Sequence, residues 1–492
     1  MMESLKRDTA RLQTEAAETA VKTAAEMLKR VPAYADFLAD HGCAIRKIAT
    51  FADFDALPTM DKHSYVMPYD LQRRCLDGTL SGKHHVFSSS GSSGEPQYWA
   101  IAPDDEKMMP EMYNRILEVS LDYRRHSCLI IVCLGLGAWI SGLQTHWALR
   151  QAGIENGGAF TLVTPGLDFE ATMSFVRNLG PYFDTIFLIS YPGLARIIVE
   201  HGLRQGIDWQ KFRMRLGLVG DNFSESWRNY MVELLGIDKD EPLPVFGGYG
   251  GADMGGVGIE SPLSVCIRKQ AEANPELKQQ LFHDDRMPFL CRSDSRSIFT
   301  EVQDGELLFT KLKAVPLARY RIRDQGGMID YAEMLTVLRD FGISELPLEQ
   351  EERLYPEPLP FLYIFGKAAG NLTLSGANVY VGHIREILSR SQWNDILTGR
   401  FVLHKSYNQD FQECFHIDIE LVPGAAEPDA EKLKEWSENI QRELCNICSE
   451  YATLCDIENN RKQLRPVLKV LPFNHRRFDT GTYKSVYVDK NE

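Results

Sequence analysis

The sequence predicts an α/β fold in two domains, and three features of the chain lead to that prediction. Short apolar runs alternate with helical patterns between residues 128 and 235, which is typical of βαβ units and a parallel sheet. From Gly247 the pattern changes to one typical of an antiparallel, β-rich subdomain. From Leu362 a strand, a turn, alternating strands and an amphipathic helix indicate a small α+β domain. We therefore expect a large N-terminal domain over residues 1–365 and a C-terminal domain over residues 366–492.

The individual elements follow from local patterns. Residues 5–30 are rich in Ala, Leu, Glu and Lys with apolar residues at helical spacing, and Pro32 ends this helix. Further helices are predicted at 108–123, 143–152, 168–179, 193–201, 224–235 and 427–448. Buried strands are predicted at 128–134, 160–163, 185–189 and 216–219. Ligands of such sheets bind beyond the carboxyl ends of the strands, so functional residues are expected there.

Composition limits the classes of function. The chain has 492 residues and a formal net charge of −14, which argues against nucleic acid as the main partner. It has no apolar run of 18 residues or more, and its N-terminus lacks a secretory pattern, so we expect no membrane association. Ten cysteines without regular spacing indicate reduced thiols and a cytoplasmic protein. A zinc site from Cys266, His283 and Cys291 is the less favoured alternative.

A serine- and glycine-rich stretch between two short apolar runs is suited to phosphate binding. Small residues let the backbone approach a ligand, and their N–H groups and hydroxyls can form an anion site. The alternative is a flexible linker. The residues of this loop are Ser88, Ser89, Ser90, Gly91, Ser92, Ser93 and Gly94.

A second glycine-rich stretch, residues 247–256, follows a predicted strand. Tyr249 could pack beside a planar base or acid, and Asp253 could bind Mg²⁺. The alternative is a glycine turn with a capping aspartate. Downstream, residues 318–324 alternate basic and apolar side chains, as an edge strand would, and end at Asp324, whose carboxylate suits ribose hydroxyls. The alternative for residues 318–324 is a solvated basic strand that ends in an Asp turn. Lys484 lies near the C-terminus and, taken alone, would be an ordinary solvated charge.

The order of these stretches resembles the adenylate-forming superfamily of acyl-CoA synthetases, and most of all the phenylacetate–CoA ligase family. Residues 88–98 are similar to its phosphate loop, residues 249–257 to its Tyr-Gly-x-Ser/Thr-Glu-x-Met-Gly-x-Gly-Val stretch, and residues 319–324 to its ribose motif. Gly366-Lys367 and residues 376–381 resemble the hinge and the element after it. Residues 481–484 fall where the family carries its adenylation lysine. The resemblance covers nearly the whole chain.

The resemblance implies a ligase that activates an aromatic or similarly flat carboxylic acid as acyl-AMP and passes it to the thiol of CoA, with ATP, Mg²⁺ and CoA required. The C-terminal domain would be a mobile lid carrying the catalytic Lys484. Asp253 would bind the metal. The implied ATP-binding residues are residues 88–94 with Gly220, Asp221, Asn222, Tyr249, Asp324 and Lys367. The implied acyl pocket contains Trp139, Tyr191, Gly250, Gly251 and Ala252.

Several positions depart from the family pattern, and they keep alternatives open. Asp253 replaces a glutamate, Lys367 an arginine, and Ala369-Gly370 an Asp-Asp pair at the hinge. A second hypothesis therefore keeps adenylation but transfers the acyl group to a separate carrier protein or an amine. A third is a nucleotide-binding regulatory protein with a degenerate site. A homodimer is also left open.

Overall fold

The computed structural model describes residues 2–88, 97–107, 109–137, 139–238, 241, 243–284, 286–367, 371–388, 391–393, 396–457, 460–473, 475–478 and 488–489. These residues divide into two compact units. The first takes in residues 2–88, 97–190 and 195–366. The second takes in residues 191–194 and the described residues from 367 onward.

The strands are β1 (His85–Ser88), β2 (Tyr98–Ile101), β3 (Cys128–Cys133), β4 (Thr161–Val163), β5 (Thr185–Ser190), β6 (Arg213–Val219), β7 (Val245–Gly251), β8 (Gly255–Ile259), β9 (Phe289–Arg292), β10 (Phe299–Gln303), β11 (Glu306–Lys311), β12 (Leu317–Ile329), β13 (Phe361–Lys367), β14 (Asn371–Leu374), β15 (Ala377–Tyr380), β16 (Leu397–Tyr407), β17 (Glu413–Leu421), β18 (Val467–Leu471) and β19 (Val488–Asp489).

The α-helices are α1 (Met2–Arg30), α2 (Pro32–Asp40), α3 (Phe51–Asp55), α4 (Leu71–Arg74), α5 (Pro103–Glu106), α6 (Met109–Ile116), α7 (Ile140–Glu155), α8 (Phe169–Leu179), α9 (Pro192–Arg204), α10 (Glu225–Leu234), α11 (Pro262–Ala273), α12 (Pro275–Phe282), α13 (Tyr331–Asp340), α14 (Leu348–Leu354), α15 (Val381–Leu388), α16 (Ala430–Ile447), α17 (Ser449–Asp456) and α18 (Asn460–Gln463).

The first unit is built on an 11-stranded sheet in the order β10-β11-β12-β13-β9-β8-β7-β6-β5-β3-β4. Strands β3 to β7 run parallel to one another. Helices α7, α8, α9 and α10 connect them in turn, as the alternating apolar runs predict. Every residue of β3 and β5 is buried, which is why these strands are continuously apolar rather than alternating.

The antiparallel half of the sheet begins at the β7–β8 hairpin and continues through β9 and β13 to β12, β11 and β10. The predicted α/β class with an added β-rich subdomain is therefore confirmed. The expectation of an edge strand at residues 318–324 is wrong, because β12 lies between β11 and β13. Its basic side chains are neutralised by carboxylates: Arg321 by Glu306 at 2.8 Å and Arg323 by Asp61 at 2.6 Å.

The N-terminal helices cover part of this sheet. Helix α1 buries the apolar residues Ala16, Ala20, Ala24 and Met27 at helical spacing. The last three join the core cluster that contains Phe309 of β11. Pro32 begins α2 at its first position, where a missing N–H costs nothing. None of the described helices is long and apolar enough to cross a membrane.

The second unit contains two smaller sheets and helices α15 to α18. Strands β14 and β15 form a hairpin, and β18-β17-β16-β19 form a four-stranded sheet. Helix α16 begins at an aspartate cap, where the Asp429 side chain accepts from the N–H of Lys432. It buries Trp436, Ile440 and Leu444 along one face, which is the amphipathic pattern that predicts it.

Candidate active site

Several predicted site residues lie at the carboxyl ends of neighbouring parallel strands. Trp139 precedes α7 after β3, Gly220 follows β6, and Tyr249 lies near the end of β7. Tyr191 directly follows β5 and clusters with the second unit. Because β3, β5, β6 and β7 are adjacent and parallel, their carboxyl ends share one edge of the sheet. This edge is where open α/β sheets bind ligands.

Tyr249 and Asp324, which belong to different motifs 75 residues apart, are joined by a hydrogen bond. The Tyr249 hydroxyl donates to Asp324 Oδ2 at 2.5 Å. Burial, together with the Asp324 charge, raises the pKa of Tyr249 well above its ordinary value, so the phenol remains a donor. Asp324 is buried, and the bond fixes the orientation of its carboxylate.

A bulge in β12 positions Asp324. Leu308 of β11 pairs with Arg321 and Glu306 pairs with Gln325, so residues 322–324 stand opposite Leu307 alone. Arg323 has a φ of +72°, a backbone conformation that residues other than glycine rarely adopt. Bulges re-aim the side chains beside them, and this one gives Asp324 its place next to Tyr249.

Asp253 makes a matching bond to a second buried tyrosine. The Tyr320 hydroxyl donates to Asp253 Oδ2 at 2.5 Å, and Tyr320 is buried. Burial, with the Asp253 charge adding to it, raises the pKa of Tyr320 well above its ordinary value. Two tyrosine–aspartate pairs, one from each aspartate of the predicted site, therefore lie between β12 and the β7–β8 hairpin.

Two lysines hold the turn that contains Asp253. Lys313 Nζ donates to the carbonyl of Asp253, and Lys311 Nζ donates to the carbonyl of Met254 at 2.9 Å. Burial, together with the charge of Lys311, lowers the pKa of Lys313 to about 7. Burial also lowers the pKa of Lys311.

A tryptophan and an arginine complete this cluster. Lys313 Nζ lies 4.7 Å from the centre of the Trp99 ring, and the guanidinium carbon of Arg74 lies 5.3 Å from it. Arg74 also donates to the carbonyls of Tyr69 and Tyr98, at 2.9 and 3.2 Å. Burial lowers the pKa of Arg74.

The surroundings of Asp253 fit a magnesium ion that arrives with a nucleotide. Mg²⁺ in phosphate-handling sites is bound by one or two carboxylates together with substrate phosphates and water. Asp253 supplies one carboxylate, and among the described residues no group of three or more histidine, cysteine or carboxylate side chains is placed to hold a metal ion. That finding also leaves Cys266, His283 and Cys291 without support as a zinc site. The lysines beside Asp253 would repel a lone cation, so the arrangement suits a metal ion that is bound together with phosphate.

The segment predicted to lie along adenine is shaped by its own side chains. Gly220 has a φ of +85°, which glycine accommodates without strain. Asp221 accepts from the N–H of Asn222 at 2.8 Å, and Asn222 accepts from the N–H of Phe223 at 2.9 Å. These successive side-chain turns define the backbone after β6.

A buried ionic network lies beneath this segment and links it to β7. Glu260 is fully buried and accepts from Arg228 Nη2, Arg268 Nη1 and the N–H of Gly247, each at 2.7 Å. Arg268 also donates to the carbonyl of Phe223 at 2.6 Å. One carboxylate thus fixes the start of the glycine-rich strand and, through Arg268, the segment after β6.

The glycines of the predicted acyl pocket differ in the space around them. A Cβ on Gly250 would lie 2.5 Å from the carbonyl oxygen of Gly255, so packing within the hairpin requires glycine there. A Cβ on Gly251 would make only ordinary contacts, and one on Gly256 would meet nothing within 4 Å. Trp139 packs across Gly135, and a Cβ added to Gly135 would overlap the indole ring.

Comparison with known proteins identifies the fold. No family model and no curated protein matches the sequence. The crystal structure of 2-hydroxyisobutyryl-CoA ligase with 2-HIB-AMP and CoA in the thioesterification state matches with a TM-score of 0.61 at 16% identity, over 99% of this chain and 89% of that chain. An open conformation of that ligase matches with a TM-score of 0.51 at 14% identity, over 97% and 91% of the two chains. This chain has the fold of an adenylate-forming acyl-CoA ligase.

The fold is the one expected from the motifs, whereas membership of the superfamily and of its phenylacetate–CoA ligase branch stays a prediction. The structure brings Tyr249, Asp253 and Asp324 to one region, between β12 and the hairpin. Ser88 ends β1 and is paired with Tyr98 of β2. Residues 89–94, Lys484 and the side chain of Lys367 lie outside the described part of the chain.

Sequence reasoning missed the basic side chains in this part of the adenylate-forming fold. Arg74, Lys311 and Lys313 look like ordinary solvated charges in the sequence. The available signal was the Lys-Leu-Lys spacing at the end of a predicted strand, because alternate residues of an extended chain point to the same side. Arg74 gave no local signal, because only the fold brings it to Trp99.

Proposed function

We propose that this protein activates a carboxylic acid with ATP to form an acyl-AMP and then transfers the acyl group to the thiol of CoA. The observation that carries the proposal is the pairing of Tyr249 with Asp324 inside the adenylate-forming fold. An oriented, buried carboxylate beside an aromatic ring suits the ribose and base of a nucleotide. The ligase of similar fold contains an acyl-AMP and CoA together, which supports both half-reactions.

In the first half-reaction, a carboxylate oxygen of the acid attacks the α-phosphorus of ATP. The new P–O bond forms as the bond to the β-phosphate oxygen breaks, and pyrophosphate leaves. Two anions must meet, so positioning and charge neutralisation supply most of the rate enhancement. Asp324 would accept from the ribose hydroxyls, and Tyr249 and residues 220–222 would flank the adenine.

Lys484 and Asp253 would neutralise the developing charge. Lysine is a compact donor that can contact both the acid and the α-phosphate. Asp253 would hold Mg²⁺, which offsets charge on the leaving pyrophosphate when bound. Residues 88–94 would wrap the β- and γ-phosphates, and Lys367 would contribute at the hinge.

In the second half-reaction, the CoA sulfur, having lost its proton, attacks the acyl carbonyl and AMP leaves. We propose that residues 366–492 act as a mobile domain that presents Lys484 for adenylation and then rotates away, a known form of gating. We further propose an aromatic or similarly flat acid, held by Trp139, Tyr191 and residues 250–252. A Cβ at Gly251 would make only ordinary contacts, so packing does not require glycine there, which supports a role for this position beside the acid.

The test is pyrophosphate release with Mg-ATP across a panel of aryl and aliphatic acids, with and without CoA. We expect one class of acid to stimulate release, and Lys484→Ala to lower that rate roughly 100-fold while ATP still binds. Lys107→Ala is the control, because Lys107 is exposed and pairs only with exposed Asp104 among the described residues.

The CoA arm of this assay separates the possible acceptors. Acyl-CoA formation supports the proposal, whereas adenylation without CoA use would point to a carrier-protein thiol or an amine. Binding of ATP with no acid-dependent release from any acid would refute the ligase proposal and favour a regulatory nucleotide-binding protein.

A further inference from the structure

Three basic side chains converge beside the turn that contains Asp253, and the reaction as proposed above uses none of them. Lys311 and Lys313 donate to the main-chain carbonyls of Met254 and Asp253. Arg74 and Lys313 both lie against the ring of Trp99, at 5.3 and 4.7 Å. We call Arg74, Lys311 and Lys313 the cation cluster.

The nearest carboxylates, Asp105 and Asp253, act on the cation cluster through their charge and not through ion pairs. Across the described ranges, none of its three side chains has a carboxylate oxygen within ion-pairing distance. The two nearby acids are already engaged, because Asp105 accepts from the N–H groups of Ala102 and Ala314 and Asp253 accepts from Tyr320. Carboxylates are plentiful in a chain of net charge −14, so three adjacent basic side chains without an ion-paired carboxylate are unusual in it.

Arg74 also has an N–H group that lacks a hydrogen-bond partner among the described residues. Arg74 is 2% exposed, and the group concerned is its Nη1. Buried donors are almost always paired, so this N–H group calls for a partner such as water, an ion or a ligand. A guanidinium is especially suited to phosphate, which it can contact through two N–H groups.

The predicted phosphate loop contains no cationic residue in its sequence. Residues 88–97 contain no lysine or arginine, and their one charged residue is the acidic Glu95. In the P-loop of nucleotide-binding proteins, a lysine of the motif itself reaches the β- and γ-phosphates, and this loop has no such lysine. Trp99, on which Arg74 and Lys313 rest, lies in β2, the strand that follows this loop in sequence.

We propose that Arg74, Lys311 and Lys313 form a binding subsite for the pyrophosphate portion of ATP, and for the pyrophosphate product. This inference rests on the proposed function, because it assigns the cations to that nucleotide. The cluster would neutralise the β- and γ-phosphates from the protein side, while Asp253 would approach them through magnesium. Because the two lysines also donate to the carbonyls of Asp253 and Met254, phosphate binding would affect the position of that turn.

Calorimetric titration of the full-length protein with inorganic pyrophosphate, ATP and AMP tests the subsite. Lys313→Met keeps the aliphatic stem beside Trp99 but removes the charge. We expect it to weaken binding of pyrophosphate and ATP about 10- to 100-fold, the effect of losing a hydrogen bond between charged groups. AMP lacks the β- and γ-phosphates, so its affinity should stay within about twofold. Lys107→Met is the matched control and should leave all three affinities unchanged.

A purely structural role would give a different pattern. If the lysines only hold the turn that contains Asp253, Lys313→Met would weaken pyrophosphate binding in the presence of Mg²⁺ but not in EDTA, or would change neither, and either result overturns the subsite. Lys311→Met and Arg74→Lys provide second and third variants, with folding checked by circular dichroism. Wild-type protein that binds no pyrophosphate would also overturn it.

The subsite and the proposed function can fail separately. Acid-dependent pyrophosphate release by the wild type, with pyrophosphate affinity unchanged in Lys313→Met, would keep the ligase and reject the subsite. Selective loss of pyrophosphate affinity in Lys313→Met, without release from any acid, would keep the subsite and reject the ligase.

Discussion

Removal of the Glu260 charge should destabilise the first unit more than any exposed charge substitution. Glu260 Oε1 accepts from two guanidiniums, and Oε2 accepts from the N–H of Gly247, all at 2.7 Å. In Glu260→Gln, whichever way the amide turns, its NH₂ group faces a donor. The cluster of Glu225, Glu260, Arg228 and Arg268 is neutral as it stands and would become a buried net positive charge.

The expected loss of folding stability in Glu260→Gln follows from the burial of Glu260. Breaking a fully buried ion pair by removing one partner costs about 3–5 kcal/mol. Glu111→Gln removes an exposed pair with Arg115, four residues away on α6, and should cost about 0.5 kcal/mol or less. Differential scanning calorimetry at pH 7 would compare the two variants. A cost for Glu260→Gln within about 1 kcal/mol of that for Glu111→Gln would refute the argument.

The same network predicts how the difference in stability between wild type and Glu260→Gln depends on pH. Burial alone would raise the pKa of Glu260, but the charges of Arg228 and Arg268 lower it below its ordinary value. A carboxylate with a lowered pKa in the folded state stabilises the protein above its unfolded pKa of about 4.3, and loses that effect as pH falls through the lower folded value. The difference in the free energy of unfolding between wild type and Glu260→Gln should therefore become smaller below about pH 4. A difference that stays constant down to pH 3 would contradict this assignment.

Three further predictions concern the site and the second unit. Asp324→Asn should weaken ATP binding roughly tenfold but leave 2′,3′-dideoxy-ATP unchanged, and equal losses for both nucleotides would contradict ribose recognition. Gly250→Ala should cost about 1–3 kcal/mol of stability by calorimetry because its Cβ meets the Gly255 carbonyl, whereas Gly256→Ala should cost little. The Cys445 thiol has a lowered pKa because Cys455 hydrogen-bonds to it, so Cys455→Ala should slow alkylation of Cys445 by iodoacetamide at pH 7, and an unchanged rate would contradict that coupling.

The parallel part of the sheet could be predicted because its signal is local. The apolar runs that became β3, β5 and β6 are buried on both faces, so hydrophobicity alone marks them. The positions of Gly220 and Tyr249 at strand ends followed from the same pattern. Motif order then predicted the fold, although the chain is only 16% identical to the ligase whose structure it matches.

The antiparallel part was less predictable because distant residues decide it. Arginines at alternate positions of β12 indicated an edge strand, yet carboxylates as far as 262 residues away neutralise them inside the sheet. The bulge that places Asp324 also depends on pairing with β11 rather than on its own sequence. Glu260, Arg74 and Lys313 act through contacts between segments far apart in the chain, so no window of sequence reveals their roles.

The central claim is that the acid is adenylated, and oxygen transfer tests it most directly. An acid that stimulates pyrophosphate release would be supplied with both carboxylate oxygens as ¹⁸O, together with Mg-ATP and CoA, and the nucleotide product would be analysed by mass spectrometry. Attack of the carboxylate on the α-phosphorus predicts AMP that carries one ¹⁸O atom for each thioester formed. Unlabelled AMP, or ADP and phosphate in place of AMP and pyrophosphate, would contradict the claim.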